Sequence, residues 1–237
     1  MKMLLKFLIF VSVLLAVLVF VVLPLAAGPV IAGVLQSGGL RAQTLDVDVD
    51  ANGLQLLGGR ADVLRLQAAG VDTQGFRVDE LDLSLRGVAL FDRTFQAVDG
   101  RLTGVRVPDP TGGSVAITSM ELSGQAEATR AVGTLGAATS EALLRRAAFE
   151  SGVPVDRVSL GNGEVRFGRG PVEVPGRLEV RDGSLLLSSE LVSVVLVQPD
   201  PASPWRLEEV RVSPDGITVD GTLDTTVLAG GLGTARP

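Results

Sequence analysis

The spacing of acidic residues that most resembles a metal site lies between Asp48 and Gly59. Asp48, Asp50 and Asn52 alternate with apolar residues and precede Gly53, which matches the opening of a calcium loop. The twelfth position of such a loop holds a bidentate glutamate, but here it is Gly59. The same alternation describes the solvent face of a strand that turns at Asn52-Gly53, and we favour this interpretation. The sequence therefore predicts no metal site.

The chain lacks most of the side chains on which nucleophilic catalysis depends. The chain has no histidine and no cysteine, and its only lysines are Lys2 and Lys6. Ser-His-Asp triads, Cys-His pairs and zinc sites built on His or Cys are therefore excluded. A glycosidase-like pair of carboxylates remains possible among the 27 acidic residues, but nothing in their spacing distinguishes any two. We predict that the protein is not an enzyme and needs no cofactor.

The N-terminus decides where the rest of the chain is placed. Lys2 and Lys6 carry the only charges before Arg41, and every residue from Phe7 to Val22 is apolar except Ser12. Such a run is long enough to cross a bilayer as a helix, and the two lysines keep its start in the cytoplasm. The same residues also fit a cleaved secretory signal. Both interpretations export the remainder.

The exported part is acidic. It contains all 27 acidic residues and 19 basic ones, so its formal charge is −8. A protein that binds nucleic acid usually carries a basic patch, so the composition argues against a nucleic-acid partner.

Short alternating runs fill most of the exported part. Period-two alternation with one polar face is typical of half-buried antiparallel strands. The boundaries of these runs contain pairs that favour tight turns, namely Asn52-Gly53, Asp99-Gly100, Asn162-Gly163, Asp182-Gly183 and Asp215-Gly216. One alanine-rich segment, Thr129–Gly152, breaks the pattern and predicts a helix that is firm from Glu141 to Ser151, with Thr139 or Ser140 as its N-cap and Gly152 as its stop. The expected fold is mainly β with one central helix: a curved antiparallel sheet packed around that helix.

Two late runs are apolar on both faces. Leu185–Leu187 and Val192–Val197 are nearly continuous in apolar residues, which indicates strands that are covered on both sides. The helix is one possible cover, and a second sheet or an apolar ligand is the other. The residues predicted to line an apolar groove are those of the helix stripe and of alternate strand positions: Leu143, Leu144, Ala147, Leu185, Leu187, Val195 and Val197.

The exported part resembles the LmeA-like phospholipid-binding proteins of bacterial envelopes. The resemblance rests on the N-terminal apolar segment, the segments Arg60–Val71 and Phe76–Leu90, the single central helix and the ending Leu207–Gly221. It implies a curved sheet around a helix, an apolar groove for acyl chains, and a role in envelope lipid maintenance or transport. It assigns no role to an individual residue.

These observations lead to one hypothesis and one alternative. The hypothesis is a membrane-tethered, extracytoplasmic protein that binds phospholipid or a related lipid. The alternative is a non-catalytic assembly module of the envelope that binds another protein through its sheet edges. The expected organisation is a transmembrane anchor or signal at 1–27, a linker at 28–40, an extracytoplasmic lipid-binding-like domain at 41–228 and a disordered tail at 229–237. After signal cleavage the domain would instead be secreted or periplasmic.

Overall fold

The computed structural model describes residues 41–51, 55, 58–73, 76–89, 92, 94–108, 114–189, 193–197 and 205–225. The predicted membrane segment, the linker, the Asn52-Gly53 turn and the predicted tail lie outside these residues. Within them, no helix is long and apolar enough to span a membrane.

Eight strands form the larger sheet, which we call the first sheet. They are β1 (Thr44–Asp50), β2 (Arg60–Thr73), β3 (Phe76–Ala89), β4 (Ala97–Pro108), β5 (Ser114–Gln125), β6 (Ala128–Gly136), β12 (Trp205–Ser213) and β13 (Gly216–Leu223). The spatial order is β1-β2-β3-β4-β5-β6-β13-β12, and every neighbouring pair is antiparallel. The chain therefore builds six strands as a meander and returns after the second sheet to add two more.

Five shorter strands form the second sheet, also antiparallel. They are β7 (Arg157–Leu160), β8 (Val165–Arg169), β9 (Val172–Arg181), β10 (Ser184–Ser189) and β11 (Ser193–Val197). Their order is β11-β10-β9-β8-β7. The mainly antiparallel β fold with one helix is confirmed, and the strands are divided between two sheets.

The single described helix, α1 (Ala137–Glu150), links the two sheets. Its N-cap is Gly136, which makes no side-chain cap, and the Ser140 hydroxyl donates instead to the carbonyl of Leu135 at 3.1 Å. The predicted cap at Thr139 or Ser140 is therefore wrong, because the helix starts directly from the end of β6. The predicted stop is in place, since Gly152 follows the helix with a φ of +77°.

The first sheet carries one coordinated irregularity. In one row across β2 to β5 the spacing between successive buried residues is three instead of two, between Ala68 and Val71, Val78 and Leu81, Leu102 and Val105, and Ile117 and Met120. A second step of three occurs only in β2 and β3, between Ala61 and Leu64 and between Leu85 and Val88. Gly70 and Gly104 lie within this row with φ near +60° (+60° and +63°), a conformation that glycine adopts readily. Because four strands shift phase together, their pairing register is preserved and one face remains buried.

The helix joins both sheets into one core. It packs against β7 of the second sheet and against β6 and β13 of the first, and β12 lies beside β9. Leu144 and Ala148 are its most buried apolar side chains, at 4% and 6% exposure. They belong to the same hydrophobic cluster as the buried residues of both sheets. The C-terminal turn of the helix consequently lies near the inner face of the second sheet.

Candidate functional site

The larger concave surface is a polar groove across the open face of β1 to β5. Its volume is about 930 Å³. Five carboxylates and one arginine contribute to its lining, namely Asp46, Glu80, Asp82, Asp99, Glu121 and Arg101. The remaining lining is mostly hydroxyl, amide and small side chains. On such a surface charged side chains interrupt any apolar area that a hydrocarbon chain could contact. Its net negative charge also repels a phosphate.

Most arginines on this polar face are matched with acids on neighbouring strands. Arg65 contacts Asp48 directly across the β1–β2 pair at 3.2 Å, and Arg101 forms an ion pair with Glu121 across β4 and β5. Cross-strand pairs of opposite charge stabilise a sheet modestly and neutralise its surface. No group of three or more acids in the described ranges converges in a way that could hold a metal.

The smaller concave surface is an apolar pocket between α1 and the second sheet. Its volume is about 260 Å³, and its lining comes from the helix end, the following loop and four strands. Ala147, Ala148 and Ser151 belong to the helix end; Val153, Pro154 and Val155 to the loop; and Phe167, Arg169, Val172, Val174, Leu187, Ser189, Val194 and Leu196 to β8–β11. Concave, mainly apolar sites with a few polar groups are the usual form of a small-molecule site.

Strand alternation explains which side chains reach this pocket. In β8, Phe167 faces the helix, and two residues later Arg169 lies on the same side. The β8–β9 pairing places Val174 opposite Phe167 and Val172 opposite Arg169, with the turn at Gly170-Pro171 between them. Because directly opposed residues share a face, this hairpin presents a continuous apolar wall that ends at one charged residue.

The pocket is open at one end. Val172 is 58% exposed, Arg169 and Ser151 are also exposed, and all three belong to the lining, so they mark the mouth. The mouth therefore has one apolar side chain, that of Val172, that the described part of the protein does not cover.

The structure brings together only some of the predicted groove residues. Ala147 and Leu187 line the pocket. Leu144 and Leu185 are core residues, each 4% exposed, and Leu143 is half-buried outside the lining.

The predicted positions in β11 do not follow the expected phase. Val195 is 45% exposed and lies outside the lining, while its neighbours Val194 and Leu196 contribute to it. A register shift between Leu185 and Leu186 accounts for this difference, because it changes which β11 residues share a face with Leu187. The side chain of Val197 lies outside the described residues. A role for these residues in lipid binding stays a prediction.

Several lining residues were not predicted, and the β8–β9 hairpin is the clearest case. Its signal was available, since Val165, Phe167, Val172 and Val174 alternate on either side of Gly170-Pro171. The loop residues Val153–Val155 carry no periodicity, so their contribution could not be recognised from the sequence.

The clearest electrostatic perturbation lies away from the pocket. Arg130 of β6 donates to both carboxylate oxygens of Asp220 of β13, with Nε–O distances of 3.0 and 3.1 Å. These hydrogen bonds, opposed by partial burial, hold the pKa of Asp220 below its ordinary value. Neither residue lines the apolar pocket, so this pair stabilises the sheet and does not point to acid–base chemistry at the site.

Comparison of the sequence with known protein families assigns the chain to a family. The model of the LmeA-like phospholipid-binding family matches residues 21–222, which cover both sheets and the helix almost completely. The chain belongs to the LmeA-like phospholipid-binding family. Searches of curated proteins and of solved structures gave no match. The resemblance inferred from the sequence is confirmed, and the family's described property, phospholipid binding, agrees with an apolar pocket.

Proposed function

We propose that the protein is a membrane-tethered, extracytoplasmic phospholipid-binding protein that acts by holding a lipid acyl chain and catalyses no reaction. The observation that carries the proposal is the apolar pocket of about 260 Å³ in a member of a phospholipid-binding family. Compared with the polar groove of the first sheet, this pocket has the lining that matches the hydrocarbon part of a lipid, as far as the described residues go.

The energetics favour binding from water and permit exchange with a membrane. Each CH₂ group that leaves water contributes about 0.8 kcal/mol. A chain that leaves a bilayer gains no comparable driving force, because the bilayer core is already apolar. The pocket is slightly smaller than the range of about 300–1,000 Å³ typical of ligand pockets, so it suits part of one chain. Reversible exchange with a nearby leaflet is the expected consequence.

Two further observations support a location at the membrane. The N-terminal run from Phe7 to Val22 would keep the domain within reach of one leaflet. The exposed Val172 at the mouth would enter an interfacial region at lower cost than a polar residue. We propose that the mouth faces the bilayer to which the chain is tethered.

The test fills the pocket with a side chain and leaves the N-terminus unchanged. Ala147 is half-buried and lines the pocket, so Ala147→Phe should occupy the volume intended for a lipid chain. Ala142 lies on the same helix but is exposed and outside the lining, so Ala142→Phe is the matched control. Both variants retain any lipid that the N-terminal segment itself attracts.

The measurement is the phospholipid retained by full-chain protein after detergent exchange, determined by solvent extraction and mass spectrometry. We expect the unmodified chain and Ala142→Phe to retain phospholipid above the level of Ala147→Phe, with circular dichroism and Tm verifying that all three are folded. Equal retention by all three proteins would contradict the proposal and favour the alternative of an assembly module.

A further inference from the structure

One charged side chain lines the otherwise apolar pocket. Arg169 is the last residue of β8 and shares its inner face with Phe167. It is exposed although it belongs to the lining, so its guanidinium group lies at the mouth and not in the interior. The other polar lining residues are Ser151 and Ser189, which carry no charge.

Two acids on or beside this hairpin, Glu173 and Asp156, already have partners. Glu173 lies 3.9 Å from Arg157, and Asp156 accepts a hydrogen bond from the backbone N–H of Gly170 at 3.1 Å. Arg166 on the outer face is paired with Glu164. In the part of the chain that the structure describes, Arg169 has no ion pair and no side-chain hydrogen bond. Its positive charge is therefore uncompensated at the entrance to an apolar space.

We propose that Arg169 binds the phosphate group of the phospholipid whose acyl chain occupies the pocket. This inference rests on the proposed function and adds the residue that recognises the headgroup. A guanidinium group offers a planar set of donors that matches two phosphate oxygens at once. Ser151 cannot replace it in this conformation, because its hydroxyl already donates to the carbonyl of Ala147 at 2.8 Å.

The geometry orders the two parts of the ligand. The apolar wall formed by Phe167 and Val174 would contact the hydrocarbon chain. The strand then ends at Arg169, which forms the last residue pair before the turn. A phospholipid has the same order, with an apolar chain joined to an anionic phosphate at one end. The polar groove of the first sheet lacks this order, since its carboxylates are spread along the whole lining.

A matched control is available on the next strand. Arg177 of β9 is exposed, has no ion pair within the described ranges and does not line the pocket. If Arg169 only contributes positive charge to the surface, Arg177→Ala should have the same effect as Arg169→Ala. If Arg169 contacts phosphate, the two substitutions should differ.

The experiment uses full-chain protein in a non-ionic detergent and titrates two lipids with identical acyl chains. One is phosphatidylglycerol, which has a phosphate, and the other is diacylglycerol, which has none. We expect Arg169→Ala to weaken phosphatidylglycerol binding by about tenfold to a hundredfold, the factor typical of a hydrogen bond to a charged group. Arg169→Lys should retain part of this affinity. Diacylglycerol binding should be unchanged in every variant, and Arg177→Ala should bind both lipids as the unmodified chain does.

Three outcomes would overturn the inference. The first is an equal loss with Arg169→Ala and Arg177→Ala, and the second is an equal loss of both lipids with Arg169→Ala. The third is Arg169-dependent binding of free glycerol 3-phosphate as tight as that of phosphatidylglycerol, which would make this a site for free phosphate. If Ala147→Phe abolishes phosphatidylglycerol binding while Arg169→Ala leaves it intact, only the headgroup assignment fails. If neither lipid binds the unmodified chain, the proposed function itself fails.

Discussion

The polar groove of the first sheet is larger than the apolar pocket beneath the second sheet, but its lining suits a lipid chain less well. The groove on the first sheet has a volume of about 930 Å³, more than three times the 260 Å³ of the pocket beneath the second sheet. The groove is lined mainly by charged and hydroxyl side chains, and the pocket mainly by aliphatic ones. The chemistry of the lining, and not its volume, is therefore the basis on which we propose the pocket as the lipid site.

The ion pairing of the arginines also differs between the first sheet and the pocket. On the first sheet Arg65, Arg86 and Arg101 each have an acidic partner on a neighbouring strand. At the pocket, Arg169 has none among the described residues. These three paired charges stabilise the first sheet, whereas we propose that the charge of Arg169 contacts a ligand.

The largest expected effect separates the structural region from the binding region. Leu102 of β4 is fully buried, so Leu102→Ala should lower the free energy of unfolding by about 2–5 kcal/mol. Val174→Ala should cost less, because Val174 is half-buried and already borders a cavity. Urea unfolding measures both losses. Phospholipid affinity of the folded protein should change only for Val174→Ala, and the reverse pattern would refute the division of roles.

A smaller effect concerns the stability of the fold at acidic pH. We expect an ion pair of the first sheet to determine part of it. Because Arg130 lowers the pKa of Asp220 in the folded state, the pair stabilises the fold at pH values above the ordinary pKa of an aspartate, about 3.9. This contribution should be lost as the pH falls below about 4 and through the folded pKa. Arg130→Ala should therefore lower Tm at neutral pH and show a weaker dependence of Tm on pH below 4.

Arg101→Ala serves as the control for that titration. Its partner Glu121 has a half-exposed side chain, in contrast to Asp220 at 7% residue exposure, and exposed pairs contribute little. Tm curves for Arg130→Ala and Arg101→Ala that coincide between pH 2 and pH 7 would show that the Asp220 pair has no special role.

Much of the fold was predictable, because alternation and turn chemistry are local. The strands β1 to β5 and β7 to β13 correspond to predicted alternating or apolar runs. The turns at Asn162-Gly163 and Asp182-Gly183 are confirmed. Asp99-Gly100 is not a turn but lies inside β4, where a Cβ at Gly100 would come within 2.1 Å of the Leu83 side chain. Glycine is needed here because a larger side chain would clash with the neighbouring strand. That close approach is a tertiary contact, so it could not be predicted from the sequence.

The alanine-rich segment shows a second limit. Its first part, Ala128–Gly136, is strand β6, although its apolar residues also fit helical spacing. Pairing with β5 and β13 overrides the weak local preference, and a long-range partner cannot be deduced from a local pattern.

The candidate site was predictable only in part for the same reason. Ala147 and Leu187 follow from periodicity, but the phase of β11 depends on a register shift and the loop contribution depends on tertiary packing. Arg169 had no distinguishing feature among the arginines until the structure placed it at the mouth of an apolar pocket.

A photoactivatable phospholipid tests the central comparison most directly. The full chain is illuminated with a lipid that carries the reactive group on its acyl chain, and labelled residues are mapped by peptide mass spectrometry. The account predicts labels at the helix end and loop (147–155) and on the strands that line the pocket, at 167–174, 187–189 and 194–196. Labels concentrated on the polar face of β1 to β5, with these segments unlabelled, would contradict it.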